Sequence, residues 1–284
     1  MWTTDDEVRF FNDAIRINSI ENLMVAVQNR YYAFQPKEFN ETVVTPQARN
    51  GVIGNATEKW CKDFFFDIAR QNNLYAVNGV ICRSIGLTPQ TPADLAFCTT
   101  NNKEQSAENI KLIFEIKMGI VNNYLYTEQE EFSFCGDYTT HKGNPSLLRS
   151  DSMLKAIGKS VNLRVDSLAG KKIPIIILGN SPITRGYKDK VDCLCQSGVI
   201  QKFVSLYPNP TIREHIKQSP KNGFETFENE RNVAEYIAHI LGSEMNYFSA
   251  MMHNNQLGKL IDIASREDND ELKGQKFIEL LKQI

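Results

Sequence analysis

Three ionisable residues in the middle of the chain could together form a metal-dependent hydrolytic site. Asp94 begins the apolar run DLAFCT, and Glu115 and Lys117 lie within the later run NIKLIFEIKM. Side chains two residues apart on a strand project from the same face, so Glu115 and Lys117 point together while Phe114 and Ile116 point away. If the two runs pair as a hairpin, Asp94 joins the other two at one edge of a sheet.

Phosphodiester hydrolysis needs this combination of groups. Two carboxylates supply the hard oxygen ligands that Mg²⁺ prefers, and Mn²⁺ is expected to substitute. The ion polarises the scissile phosphate and activates a water molecule. A lysine beside the acids can orient that water or neutralise charge on the phosphoryl oxygens. The alternative is a solvated salt bridge between Glu115 and Lys117, with Asp94 as a turn residue.

Hydrophobic patterns predict the elements that would position these residues. The apolar periodicity predicts helices at Ala56–Gln71 and Ser146–Asp166, and strands at Leu74–Ile85, Asp94–Thr99, Asn109–Met118 and Ile173–Gly179. The order helix, three strands, helix, strand predicts an α/β fold, with a central mixed sheet flanked by helices.

The rest of the chain is predicted to elaborate this core. Helices are predicted at residues 4–32, Val191–Tyr207, Asn232–His253 and Phe277–Gln283, and a loop at Asn122–Pro145. We expect a single domain over residues 1–284, with a core at about 56–207 and helical additions at 1–50 and 210–284.

The acidic pair and lysine resemble the motif of the PD-(D/E)xK nuclease superfamily, especially its type II restriction endonucleases. In that family the first acid begins the second core strand, and the second acid and the lysine lie on the third. Asp94, Glu115 and Lys117 match in order, strand type and spacing, although the Pro-Asp dipeptide of the family is Pro92-Ala93-Asp94 here. The resemblance covers roughly residues 56–179 and implies a restriction-endonuclease-like αβββαβ core.

The resemblance also implies roles for individual residues. Asp94, Glu115 and Lys117 would be catalytic, and Asp94, Glu115 and Ile116 would be the metal ligands. The family often takes a further acid from the preceding helix, where Glu58 is the matching candidate. Asp63 and Asp67 lie on the same predicted helix and could replace it.

The implied activity is site-specific cleavage of double-stranded DNA with Mg²⁺. The resemblance further implies a homodimer acting on a palindromic site, with a cognate DNA methyltransferase as a functional, not physical, partner. Two alternatives stay open: another nuclease on the same core, from repair, a phage or a mobile element, and a non-enzymatic α/β binding protein.

Basic and polar residues in the predicted loops could hold DNA around the acidic site. The predicted DNA-binding residues are Lys142, Asn144, Arg149, Lys155, Arg185, Tyr187 and Lys188. Arg185 is the preferred base-reading residue, because arginine can donate two hydrogen bonds to guanine. Further basic candidates are Arg49, in a glycine-containing segment before the first core helix, and Lys159 and Arg164 on the second.

Composition narrows the class of protein. The net charge is −2, from 32 basic and 34 acidic residues, which argues against a non-specific nucleic-acid coat protein. No apolar run is long enough for a membrane span and the N-terminus lacks a secretory pattern, so a cytoplasmic location without a membrane partner is expected. The six cysteines are expected to be buried free thiols, with a structural zinc as the alternative. ATPase and dehydrogenase phosphate-binding motifs are absent from the sequence.

Overall fold

A computed structural model describes residues 1–40, 43–208, 217–243 and 254–283 of the chain. The helices within these ranges are α1 Thr4–Ala14, α2 Ile20–Leu23, α3 Ala48–Gln71, α4 Ser150–Asp166, α5 Lys188–Gln196, α6 Glu230–Leu241, α7 Asn254–Ala264 and α8 Asp270–Lys282. The strands are β1 Val25–Val27, β2 Arg30–Tyr32, β3 Tyr75–Val80, β4 Ala93–Cys98, β5 Ile110–Ile116, β6 Asn123–Tyr126, β7 Phe132–Gly136, β8 Ile175–Gly179, β9 Lys202–Ser205 and β10 Phe224–Thr226.

A six-stranded mixed sheet forms the centre of the fold, in the order β10-β9-β8-β5-β4-β3. The strands β3, β4 and β5 pair antiparallel, whereas β8, β9 and β10 continue from β5 in parallel. Helices cover both faces, so the predicted α/β class with a central mixed sheet and flanking helices is confirmed. The inner parallel strands β8 and β9 are buried along their whole length, as expected of strands covered on both faces.

Alternation along β5 separates the two faces of the sheet. Leu112 and Phe114 belong to the apolar cluster on the α3 side, where the ring of Phe114 stacks on Phe65 at 4.7 Å between centroids. Ile113 belongs to the cluster on the α4 side, which includes Met153. Because Glu115 has the parity of Ile113, its side chain leaves the sheet on the α4 side.

The N-terminal region is not the long helix that the sequence predicted. After α1 and α2 the chain turns back as the hairpin β1–β2, through Gln28 and Asn29, which both have positive φ angles of 48° and 62°. A two-residue turn of this kind matches the twist of antiparallel strands. The expectation of purely helical additions at residues 1–50 is therefore wrong, because β1 and β2 are three residues long and too short to show a strand pattern in the sequence.

The predicted loop at Asn122–Pro145 contains two strands. β6 and β7 join β1 and β2 in a four-stranded antiparallel sheet of order β1-β2-β6-β7. Its aromatic residues pack on α1, whose Phe11 stacks on Phe132 at 5.0 Å. Alternating aromatic residues in this segment are the strand signal that the loop prediction missed.

α1 is fixed to this region by a buried carboxylate. Glu7 is fully buried and accepts hydrogen bonds from the main-chain N–H groups of Val121 and Asn122, at 2.6 and 3.2 Å. The side chains of Trp2, Asn122 and Tyr124 donate to the same carboxylate at 3.2, 2.9 and 2.9 Å. Five donors therefore surround one acid that joins the N-terminus to the segment before β6.

α3 begins earlier than predicted, at Ala48. Gly51 and Gly54 lowered the apparent helical propensity of this segment, yet both lie within the helix. Thr57, expected near the helix start, donates from its hydroxyl to the carbonyls of Ile53 and Gly54, both at 3.0 Å. It is therefore a mid-helix residue, and the segment before Glu58 is not a loop.

The C-terminal third departs further from the prediction. The predicted helix Val191–Tyr207 is a helix only to Gln196, because Gly198 takes a positive φ of 76° and the chain continues into the buried strand β9. β10 then completes the central sheet, so residues 210–284 are not a purely helical addition. The predicted helix Asn232–His253 corresponds to α6, and its residues 244–253 lie outside the described part.

Two further findings bear on the expected class of protein. Within the described ranges, no helix is both long and apolar enough to cross a bilayer. All six cysteines are free, and Cys61, Cys82 and Cys98 are buried. Cys135 and Cys193 are exposed, so the expectation of burial is wrong for these two.

Candidate functional site

The hairpin of β4 and β5 brings the two predicted acids together. Leu95 lies opposite Phe114 in the antiparallel ladder, which places Asp94 opposite Glu115 at the next position. The main-chain N–H of Ile116 donates to Asp94 Oδ2 at 2.8 Å, so the carboxylate is fixed across the hairpin. The convergence that the sequence predicted therefore occurs in the structure.

Two lysines complete what we call the acid–lysine cluster, defined as Asp94, Glu115, Lys117 and Lys159. Lys117 Nζ lies 2.6 Å from Glu115 Oε1 and 3.6 Å from Asp94 Oδ2. Lys159 Nζ lies 2.6 Å from Glu115 Oε2 and 3.0 Å from Asp94 Oδ1. Each ammonium group therefore contacts both acids, and the acids use different oxygens for each lysine.

Burial gives this cluster its electrostatic character. Glu115 is only 4% exposed, and desolvation is the largest effect on its pKa, followed by repulsion from Asp94. Both raise the pKa, and attraction by Lys117 and Lys159 opposes them without restoring the ordinary value. For Lys159, burial alone would lower the pKa, but Asp94 and Glu115 together outweigh it and the pKa is raised.

Glu58 lies near the cluster but does not join it. The pKa of Glu58 is raised, first by desolvation and then by repulsion from Asp94. The repulsion shows that the Glu58 carboxylate is close enough to Asp94 to interact with its charge. Among the described residues its carboxylate has no ion pair, because α3 packs on the face of the sheet opposite α4. Asp63 and Asp67, the alternatives to Glu58, are both exposed.

The main chain around Ile116 is held in place from the neighbouring strand. The carbonyl of Ile116 accepts a hydrogen bond from Lys117 Nζ at 3.0 Å, so this oxygen belongs to the surroundings of the cluster. Asn180, just after β8, accepts from the N–H of Gly119 at 3.0 Å and donates to its carbonyl at 2.6 Å. Ser146 accepts from the N–H of Asn180 at 2.9 Å, which ties the approach to α4 to the same point.

A cleft of about 600 Å³ opens beside the cluster and includes Ile116 and Lys117 in its wall. Three of the predicted DNA-binding residues line it: Asn144, Arg149 and Lys155. Lys155 and Asn144 are exposed, whereas the guanidinium of Arg149 donates to Asp151 at 2.6 Å. The structure therefore joins these three residues and Lys117, one member of the cluster, in one concavity.

The other predicted DNA-binding residues lie elsewhere. Lys142 is exposed, but its ammonium donates to the carbonyl of Phe39 at 2.7 Å and it does not line the cleft. Arg185 and Lys188 line a separate concavity beside Gln218 and Pro220. Tyr187 is buried in the apolar cluster on the α4 side, so its prediction as a DNA contact is wrong.

Two arginines that the sequence offered as DNA contacts serve the fold. Arg49 is 2% exposed, donates to the carbonyl of Ala33 and lies 4.4 Å over the Phe34 ring, and burial lowers its pKa to about 10. Arg164 is 1% exposed and donates to the carbonyls of Gly170 at 2.7 Å and Val199 at 3.0 Å. The sequence alone does not show that these two helical arginines lie on the buried sides of α3 and α4.

Lys159 and Asn180 are the site residues that sequence reasoning did not assign. The sequence indicates Lys159 only as a phosphate contact, although it lies one turn after Lys155 on a predicted helix that follows the two acidic strands. Asn180 follows the buried strand directly, where a polar side chain can reach the end of the neighbouring parallel strand. The sequence does not reveal that Lys159 pairs with Asp94 and Glu115, or that Asn180 bonds to Gly119, because both contacts depend on how α4 and β8 pack in the fold.

The donor set at the cluster is small. In the parts of the chain that the structure describes, no group of three or more His, Cys, Asp or Glu side chains is placed to hold a metal ion. A metal here would use the two carboxylates of the cluster, with the nearby carbonyl of Ile116 and water. No protein-family model, curated protein or solved structure matches this chain.

Proposed function

We propose that this protein is a Mg²⁺-dependent endonuclease that cleaves double-stranded DNA, of the type II restriction kind and built on a PD-(D/E)xK core. The observation that carries the proposal is the position of Asp94 and Glu115, which hold a single ammonium group at 3.0 and 2.6 Å. Two carboxylates that share one ammonium group in this way could share a divalent metal after a small inward movement, since oxygen ligands lie about 2.1 Å from Mg²⁺. Lys117 lies beside them, as the acid–x–lysine pattern requires.

The chemistry of the donors fits Mg²⁺. Carboxylate oxygens and a main-chain carbonyl are hard ligands, and Mg²⁺ in phosphoryl-transfer sites commonly uses one or two carboxylates and keeps several water molecules. Asp94, Glu115 and the carbonyl of Ile116 would hold the ion. When bound, it supplies Lewis-acid polarisation of the phosphate and a more acidic water molecule.

The residues of the chain supply the remaining functions. Lys117 neutralises charge that develops on the phosphoryl oxygens, since its ammonium group is fixed by Glu115. Glu58 adds negative charge from the α3 side and assists in orienting water. Asn144, Arg149 and Lys155 hold the DNA backbone along the cleft, because exposed cations and amides bind phosphates.

Three architectural features support the same assignment. Asp94 lies at the start of the second strand of the central sheet, and Glu115 lies on the third. α3 precedes these strands, and α4 and β8 follow them, with β8 parallel to β5. A homodimer that cuts a palindromic site, with a methyltransferase as functional partner, is part of the proposal.

The proposal is tested with the full-length protein and plasmid DNA. We expect discrete fragments with Mg²⁺ and none with a chelator, whereas a smear would indicate a nuclease of another kind on the same core. The variant Asp94→Asn should lose ~10³-fold or more in cleavage rate, because a ligand that positions the Lewis acid is removed.

The matched control is Asp262→Asn on α7, which breaks an exposed ion pair with Arg266. It should cleave at the wild-type rate, since exposed pairs contribute little to stability. If the wild type leaves DNA intact under all metal conditions, the acid–lysine cluster is a structural ion network and the endonuclease proposal is wrong.

A further inference from the structure

Lys159 differs from every other cation near the cluster in how it is held. Its ammonium group contacts Asp94 Oδ1 and Glu115 Oε2, and both contacts are with carboxylates. Lys117, in contrast, also donates to the carbonyl of Ile116 and extends from the end of β5 itself. Lys159 reaches the site from α4, a separate element that packs on the sheet through apolar residues.

Two acids that face each other in a buried hairpin require positive charge between them. For Glu115, desolvation and repulsion from Asp94 both oppose ionisation. Lys159 supplies that charge from a side chain that is 23% exposed. A lysine on a flexible four-carbon stem can withdraw toward solvent without disturbing its helix.

A divalent cation bound by Asp94 and Glu115 would require the oxygens that Lys159 contacts. We propose that Lys159 is an exchangeable counterion: it holds the two carboxylates together without a metal and yields them when a divalent cation binds. This inference rests on the proposed function for the identity of the metal site. It assigns Lys159 a positioning role, set apart from the phosphate contact expected of Lys155, the other lysine on α4.

The geometry gives a matched control one helical turn away. Lys155 lies four residues before Lys159 on α4, is exposed and lines the cleft, and forms no ion pair with Asp94 or Glu115. Removing its charge alters the same helix but leaves the contacts of Lys159 with both carboxylates in place. A general electrostatic effect on metal binding would appear in both variants, whereas release of the carboxylates would appear only for Lys159.

The test measures Mg²⁺ binding to the full-length protein by titration calorimetry without DNA, together with thermal unfolding with and without the metal. We expect Lys159→Met to bind Mg²⁺ ~10-fold more tightly than the wild type, because no internal cation must be displaced. Without metal its unfolding midpoint should fall by ~5 °C, and saturating Mg²⁺ should recover most of that loss. Lys159→Arg, which keeps the charge, and Lys155→Met should both bind Mg²⁺ as the wild type does.

The effect of Lys159→Met on Mg²⁺ binding tests the inference separately from the nuclease proposal. Equal or weaker Mg²⁺ binding by Lys159→Met would overturn the counterion role, even if the wild type cleaves DNA. Tighter binding by Lys159→Met supports it, even if the wild type proves inactive on DNA. Binding by neither protein would overturn both proposals, and Lys159→Gln, which remains polar, repeats the measurement if Lys159→Met does not fold.

Discussion

Two buried acids in this molecule are stabilised in opposite ways. Glu7 is fully buried and is surrounded by five neutral hydrogen-bond donors, with no ion pair among the described residues. Glu115 is 4% exposed and is surrounded by the ammonium groups of Lys117 and Lys159. Burial raises the pKa of both carboxyls, so the difference lies in the partners.

The partners indicate what each acid does. Main-chain N–H groups, an indole and a phenol belong to rigid elements, so the surroundings of Glu7 specify one arrangement of α1 against the segment before β6. Lysine ammonium groups are mobile point charges that another cation can replace. A buried acid with neutral donors therefore stabilises the fold, whereas a buried acid with lysine partners is suited to exchanging one bound cation for another.

The largest expected effect separates the two acids by activity. Glu115→Gln should reduce DNA cleavage by ~10³-fold or more, because an amide is a poor ligand for a hard cation. Glu7→Gln should leave the cleavage rate per folded molecule within ~2-fold, since no part of its network reaches the cleft. Rates measured on plasmid DNA at saturating Mg²⁺ check both values. An equal loss in the two variants would contradict the assignment of a catalytic role to Glu115 and a structural role to Glu7.

The stability of the fold should depend on Glu7 far more than on an exposed acid of the same helix. Glu7→Ala should lower the free energy of unfolding by about 3 kcal/mol, because buried donors lose their acceptor. Asp5→Ala, an exposed acid on the same helix, should change it by no more than about 0.5 kcal/mol. Urea unfolding followed by circular dichroism gives these values. A small loss for Glu7→Ala would mean that water or rearranged side chains replace the carboxylate.

The pH dependence of stability tests the shared feature, which is burial. The folded-state pKa of Glu7 is raised above its ordinary value of 4.5, so the folded protein retains a proton that the unfolded chain loses. Stability gained from this acid is fully present below 4.5 and is lost as pH rises through the folded-state pKa. Urea midpoints from pH 4.5 upward should therefore fall less steeply for Glu7→Gln than for the wild type. A parallel slope would show that burial does not govern this carboxyl.

The smallest effect concerns a lysine that touches neither acid. Lys155→Ala should weaken DNA binding by ~3-fold on all sequences and reduce the slope of log K against log salt by about 1. Lys142→Ala, outside the cleft, should change neither quantity. Binding measured by fluorescence anisotropy at two salt concentrations distinguishes the variants. If Lys142→Ala has the larger effect, the DNA path does not follow the cleft.

The central part of the fold could be predicted from the sequence because its buried strands have strong apolar patterns. β5 and β8 have alternating or continuous apolar runs, and the order of α3, β3, β4, β5, α4 and β8 followed from them. The approach of Asp94 to Glu115 also followed, since a hairpin of neighbouring strands fixes which residues face each other.

The remainder depends on tertiary contacts that no local pattern contains. β1, β2 and β10 are three residues long, too short for a periodic signal, and pairing with neighbouring strands stabilises them. The partner of Lys159 depends on how α4 lies across the sheet. The burial of Tyr187 similarly depends on how α5 packs on the sheet. The residues around Tyr187 are mostly basic or polar, so the sequence gives no sign of this burial.

The contact between Asp94 and Lys159 joins residues 65 positions apart in the chain. Closing so long a loop costs conformational entropy. The contact also requires that α4, which carries Lys159, has been synthesised and lies against the sheet. A nascent chain that ends within β7 contains Asp94, Glu115 and Lys117 but lacks Lys159, so one of the two ammonium groups of the cluster is missing. Completion of the cluster therefore waits for the synthesis of α4, whereas β8, β9 and β10, which are half of the central sheet, are synthesised later still.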